Sequence, residues 1–166
     1  MQLTHSSTPF VKRDFPIILI CDGVKGPANI GSLFRIAEAF GVREIVFGNA
    51  EIEFDSGRLK KTARDTHKKV NHSQSHDLEE TINNLRTKGF IISALEITNN
   101  SKPLQDLRWK GTDKLAIVLG NEAHGVSEAI LKLTDKSYHI ELFGENSSIN
   151  VAQAAAVALY HLTASK

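Results

Sequence analysis

The sequence carries one cysteine, Cys21, so neither a disulfide framework nor a cysteine-built zinc site can form within one chain. A dominant sign of charge is missing too. Twenty Lys and Arg against nineteen Asp and Glu leave a net charge of +1. No global field then draws the chain to nucleic acid or to a membrane surface, and attraction to a polyanion has to come from local clustering. No apolar run approaches transmembrane length. The run FPIILIC (15–21) follows Lys12 and Arg13, yet it is too short for a signal-peptide core and ends at Asp22. A cytoplasmic protein with no membrane partner is the expectation. Familiar motifs are absent as well: G-x-G-x-x-G, G-x-S-x-G and H-E-x-x-H do not occur. GPANIGS (26–32) has the opening glycines of a P-loop but lacks its lysine. His72 and His76, four apart, would face one another on a helix, but with no third ligand nearby no metal site is expected. There is no internal repeat, linker or low-complexity segment.

What is present is core material: 41% of the 166 residues are hydrophobic, enough to bury one globular core. Short apolar runs read as buried strands at 16–21, 44–48, 90–97, 114–120 and 137–142. Helices are expected between them. ANIGSLFRIAEAF (28–40) puts Ile30, Leu33, Phe34, Ala37 and Phe40 on one stripe and closes at Gly41. Residues 55–67 read as helical. Residues 77–89 start like a capping box at Asp77 and Glu80 and stop at Gly89. A short helix at 126–134 and a closing helix from Ser148 to Leu162 complete the set. Alternating strands and helices predict an α/β fold with a mainly parallel sheet flanked by helices. The domain is expected to span 15–166, with 1–14 loosely tied.

In such sheets the functional site lies beyond the carboxyl ends of the strands. Three loops qualify: DGVKGPANIGS (22–32), GNEAHG (120–125) and FGENSS (143–148). The last feeds NSSIN straight into an alanine-rich helix. Ser148 or Asn146 could be nothing more than its N-cap. Alternatively, free N–H groups and small side chains there let a ligand approach the backbone closely.

Taken together, the three loops resemble the motifs of the SpoU/TrmH family of the SPOUT superfamily, AdoMet-dependent RNA ribose 2′-O-methyltransferases. NIGSLFR supplies an asparagine, Asn29, and six residues on an arginine, Arg35. LAIVLGNEAHG carries G-x-E-x-x-G as Gly120, Glu122 and Gly125. SSINVAQAAAVALY carries the third motif, although Glu141 and Leu142 stand where relatives usually have proline and methionine. Residues 62–69, TARDTHKK, replace a small-residue patch common in the family. With no further RNA-binding domain in view, the chain resembles the minimal members.

The resemblance implies a SPOUT fold whose last strand and helix thread an earlier loop as a trefoil knot, an exception to the rule that chains do not thread. It implies S-adenosyl-L-methionine as cofactor and no metal, because methyl transfer from a sulfonium needs no Lewis acid. It also implies a homodimer, for which the alanines 152, 154–156 and 158 of the last helix would allow close approach. Gly120, Gly125, Ile140, Leu142 and Ile149 would form the cofactor site, joined by Leu95 at a strand end. Arg35 would position and stabilise the reacting ribose or its phosphate, since a guanidinium is a reluctant base. Asn29 would orient Arg35 or the loop, Glu122 the site, and Ser148 and Asn150 the substrate geometry. The RNA, transfer or ribosomal, would meet the basic segment 58–69, with Arg58, Lys60, Lys61, Arg64, Lys68 and Lys69 against Asp65, assisted by Lys12, Arg13 and Lys25. His124 is a further candidate contact. A knotted RNA-binding protein without catalysis, or a SPOUT base methyltransferase, are the alternatives.

Overall fold

A computed structural model describes Thr8 and residues 10–164. The expected loose segment at 1–14 lies largely outside those residues. The chain runs β1 (Phe15–Asp22), α1 (Pro27–Ala39), β2 (Val42–Gly48), α2 (Gly57–Ala63), β3 (Asn71–Gln74), α3 (Leu78–Thr87), β4 (Ile91–Leu95), β5 (Lys102–Pro103), β6 (Leu115–Leu119), α4 (Glu128–Leu131), β7 (Lys136–His139) and α5 (Val151–Thr163). The strands form one seven-stranded sheet in the order β3-β2-β1-β6-β4-β7-β5. Every pairing is parallel. The α/β class expected from the alternation of elements is therefore the observed one.

The apolar runs are continuous because both faces of the sheet are covered. Period-two alternation splits each run between two cores. Ile17, Leu19 and Cys21 of β1, with Leu115, Ile117 and Leu119 of β6, pack on one face beneath α1 and α5. Ile18, Ile20, Ala116 and Val118 point the other way, against Leu78, Ile82 and Leu85 of α3 and Ile130 of α4. The stripe predicted on α1 is the buried one at Ile30, Leu33, Phe34 and Ala37. Full burial of a side chain such as Phe34 or Leu33 contributes about 1.5–3 kcal/mol. Gly41, just past α1, has φ +64°, and a Cβ there would come within 2.1 Å of the Arg13 carbonyl oxygen. Asp77 caps α3 by accepting from the Glu80 N–H at 2.9 Å.

Several expectations need correction. The helix at 55–67 is broken: α2 ends at Ala63, and Arg64 and Asp65 both take left-handed φ before a short 3₁₀ turn at Thr66–Lys68. His72 is not on a helix facing His76. It sits on the edge strand β3, its ring against Phe34 and Phe54 at centroid distances of 4.9 and 4.8 Å, donating from Nδ1 to the Val70 carbonyl at 3.1 Å. The alanines of α5 are not a free face for a second subunit. Ala152, Ala155 and Ala158 are buried within the chain's own core, and Ala154 and Ala156 are half-buried. The exposed strip of α5 instead carries Gln153, Val157 and Tyr160. No helix among the described residues is long and apolar enough to cross a membrane.

Candidate active site

Beyond the carboxyl ends of β4, β6 and β7 opens a cleft of ~350 Å³, closed on its fourth side by the entry to α5. β7 stops at His139, so Ile140 to Leu142 leave the ladder and turn along the cleft wall. Of the residues expected at the cofactor, Leu95, Gly120, Ile140, Leu142 and Ile149 line it, as do Glu122, Ser148 and Asn150. Leu142, in the place of a methionine, supplies apolar wall. Glu141 faces outward and accepts from Gln105 Nε2 at 2.6 Å.

Three side chains from the three loops are hydrogen-bonded in series at the rim. Asn29, at the third position of α1 behind Pro27, donates from Nδ2 to Glu122 Oε1. Its Oδ1 accepts from Asn150 Nδ2 at 2.8 Å. Asn150 Oδ1 in turn accepts the Ala152 N–H at 2.9 Å and the Gln153 N–H at 3.4 Å, which makes Asn150 the N-cap of α5. Neither Ser148 nor Asn146 is the cap, and the helix starts at Val151. Capping and site-building are thus one job done by one residue. The amide fills both roles from separate atoms, its Oδ1 accepting from the helix while its Nδ2 donates to Asn29.

Gly125 does not line the cleft; it shapes the turn that does. Asn121 and Gly125 exchange both backbone hydrogen bonds, at 3.0 and 2.8 Å, with Gly125 at φ +68°. A Cβ on Gly120 would lie 2.2 Å from the Gly125 carbonyl carbon and the Val126 nitrogen, so β6 and this turn can meet only at a glycine. Around the turn are residues the sequence reading passed over. Asn121 donates from Nδ2 to the Gly23 carbonyl at 2.7 Å. Buried Asp22 accepts from Asn49 Nδ2 at 2.6 Å and from the Ser127 N–H at 2.7 Å. Glu96 accepts from the Val126 N–H at 2.9 Å and also lines the cleft. Their signal was position: each is a polar residue within two places of a strand's carboxyl end. Cys21 is fully buried beneath the site, and burial first, then the charge of Glu122, pushes its thiol far above the usual range, so it is inert as a nucleophile.

Arg35 is not part of the rim. It is exposed, does not line the cleft, and has no hydrogen-bond or ion-pair partner among the described residues. Six helical residues from Asn29 place it ~9 Å further along α1 and on another flank. Asn29 therefore orients the 120–125 loop and not Arg35. The basic residues at 58–69 are exposed as expected, but besides Asp65 two acids outside the segment, Asp55 and Glu38, pair with its lysines. Lys60 pairs with Asp55 at 2.8 Å, Lys68 with Asp65 at 2.7 Å, and Lys69 with Glu38 at 4.0 Å. The lysine partners, chiefly by hydrogen bonding, hold the Asp55 and Asp65 carboxyls below their ordinary range. Arg58, Lys61 and Arg64 keep their charge without an ion-pair partner among the described residues. Lys25 is exposed in the loop leading to Asn29.

A parallel α/β sheet with a cleft across the carboxyl ends of three strands, rimmed by a Glu–Asn–Asn series, defines the class. Residues 16–160 match the SpoU rRNA Methylase family, and the chain belongs to that family. It is 30% identical over 145 residues, 87% of its length, to the 23S rRNA (guanosine(2553)-2′-O)-methyltransferase RlmP of Bacillus subtilis, of which it spans 57%. Among solved structures, the A. aeolicus TrmH/SpoU tRNA modifying enzyme superposes with a TM-score of 0.80 at 25% identity, over 92% of this chain and 76% of that one. The SpoU methyltransferase AviRb from Streptomyces viridochromogenes, in complex with the cofactor AdoMet, shares the fold with a TM-score of 0.78 at 22% identity, over 93% of this chain and 59% of that one.

Proposed function

We propose that this chain transfers a methyl group from AdoMet to a ribose 2′-OH of a transfer or ribosomal RNA. The observation that carries the reading is the Glu122–Asn29–Asn150 series, which locks all three loops around one cleft. The donor set suits the cofactor: apolar side chains at Leu95, Leu119 and Ile140 for an adenine, strand-end backbone groups for its edge, and carboxylate acceptors for its hydroxyl and cationic groups. When bound, AdoMet supplies a methyl group activated by its sulfonium. The residues of the chain do the rest. Glu122, held by Asn29, fixes the turn at the cleft mouth, and Ser148, with no side-chain partner among the described residues, is free to meet a substrate hydroxyl. Arg35 stands outside the cofactor cleft and acts on the RNA, holding the phosphate or stabilising the developing ribose oxyanion. Arg58, Lys61 and Arg64 supply sequence-independent phosphate contacts.

The same reading includes the knot, with the segment through α5 threaded past the 95–107 stretch. The His161 Nε2 contact to the Leu107 carbonyl at 3.3 Å puts α5 against that stretch, an adjacency such threading requires. It also includes action in the cytoplasm and a homodimer. Val157, 44% exposed, and Tyr160, 66% exposed, give the dimer an apolar strip on α5. Sedimentation at micromolar concentration should return twice the 18.3 kDa of the chain, and a monomer mass would contradict the dimer.

Calorimetric titration with AdoMet and S-adenosylhomocysteine in EDTA should show saturable binding. Nuclease P1 digestion and mass spectrometry of RNA from a deletion strain should reveal one lost 2′-O-methyl nucleotide. Absence of both would remove the reading; binding without a lost methyl group would favour a non-catalytic RNA-binding protein.

A further inference from the structure

Among the described residues, Glu96 is the one acid at the cleft whose carboxylate has no side-chain partner. It follows Leu95 at the carboxyl end of β4 and lines the cleft wall. Its Oε1 accepts the Ile97 N–H at 2.9 Å and its Oε2 accepts the Val126 N–H at 2.9 Å. Two backbone donors, one on each oxygen, fix the plane of the carboxylate and leave each oxygen with unused acceptor capacity. The other acid of the cleft, Glu122, is already engaged by Asn29. Among the described residues no lysine or arginine lines the cleft, and His139 directs its Nδ1 to Ser101 Oγ at 2.9 Å. The cleft wall also includes the apolar Leu95, Leu119 and Ile140. A half-buried, immobilised, acceptor-only group with capacity left on both oxygens is placed to take further donors from a ligand in the cleft.

Given the cofactor reading above, on which this inference rests, we propose that Glu96 accepts hydrogen bonds from the vicinal hydroxyls of the ligand's ribose and so makes the cleft specific for a ribonucleoside. Two acceptor oxygens in one fixed plane match two cis hydroxyls, as a bidentate pair matches a fork. An acid placed beside a strand end reads a ribose in the same manner in other α/β nucleotide sites. The contacts to Ile97 and Val126 serve the same end, because they aim the carboxylate before the ligand arrives and reduce the ordering cost of binding.

A double-mutant cycle with one partner on the ligand tests this. S-adenosylhomocysteine and its 2′-deoxy and 3′-deoxy forms are titrated into the wild-type protein and Glu96→Gln, with Glu96→Asp as a second variant that keeps the charge but withdraws it. In the wild type, removing a hydroxyl should weaken binding roughly 10- to 100-fold, the scale of a hydrogen bond to a charged group. In both variants the parent ligand should bind weaker by a similar factor and the deoxy penalty should collapse to near onefold. A penalty that persists undiminished in a folded variant would overturn the assignment and leave Glu96 as a latch for the turn. Coupling instead to the α-ammonium, read with the deaminated analogue, would overturn it in favour of the amino-acid end. If the wild-type protein fails to bind S-adenosylhomocysteine at all, the cofactor reading falls first and this inference with it.

Discussion

Arg35→Ala should cut turnover on the cognate RNA by at least ~100-fold, the scale lost with a positioned electrostatic group, while leaving AdoMet affinity nearly unchanged. The separation follows from geometry: Arg35 is exposed on the flank of α1 and does not line the cleft proposed for the cofactor. Because it has no partner among the described residues, its removal costs the fold little, and the melting temperature should barely move. Lysine should rescue poorly, since a point charge cannot reproduce a forked guanidinium contact. Lys60→Ala with Lys61→Ala is the control. It should weaken RNA binding and flatten its salt dependence, with less effect on saturated turnover. Of that pair Lys61 should dominate, because Lys60 is already spent on Asp55. Wild-type turnover in Arg35→Ala would show that the arginine has no part in catalysis.

Gly120→Ala should be the most damaging single methyl group in the proposed cofactor cleft. The new Cβ meets backbone on both sides, the Gly125 carbonyl carbon and the Val126 nitrogen at 2.2 Å, and backbone cannot rotate away as a side-chain tip can. Either the Asn121–Gly125 pairing opens or the end of β6 shifts. In both cases Glu122 leaves its place beside Asn29 and the cleft floor moves. Overpacking of this kind costs about 1–3 kcal/mol. That corresponds to a fall of roughly 2–12 °C in melting temperature for a chain of this size. The far-UV spectrum should be retained, because β6 itself is buried on both faces and pairs on both edges. S-adenosylhomocysteine affinity should drop at least ~100-fold, a loss calorimetry reads directly. Undiminished affinity would mean that the 120–126 turn does not form the binding surface.

The strands were legible where both faces are buried, since PIILIC and LAIVL are apolar at successive positions over a strand's length. β3 was not. Its Asn71, His72 and Ser73 are exposed on an edge, with no apolar period to reveal them, and its pairing to β2 adds to the backbone ladder a polar side-chain contact, Ser73 Oγ donating to Glu44 Oε1 at 3.0 Å. The cap of α5 was misplaced because Asn146, Ser147, Ser148 and Asn150 all have capping side chains, and local preference cannot choose among neighbours of similar strength. The partners of the basic segment were missed for a related reason: Glu38 reaches Lys69 across the packing of two elements, not along one.

The sequence by itself determined the alternation of strands and helices, the stripe of α1, the stop at Gly41 and the identity of the three loops. Each depends on neighbours within a few residues, where steric and hydrogen-bond preferences act without help from the rest of the chain. Tertiary structure alone decided which residues of those loops touch. Asn29 meets Glu122 across 93 residues and Asn150 across 121, only because β6 inserts between β1 and β4 and β7 falls next to β4. The same packing leaves Arg35, which shares a motif and a helix with Asn29 but not a flank, outside the cleft. It also turned the alanines of α5 inward, where close approach to the core, and not helix propensity, sets their size.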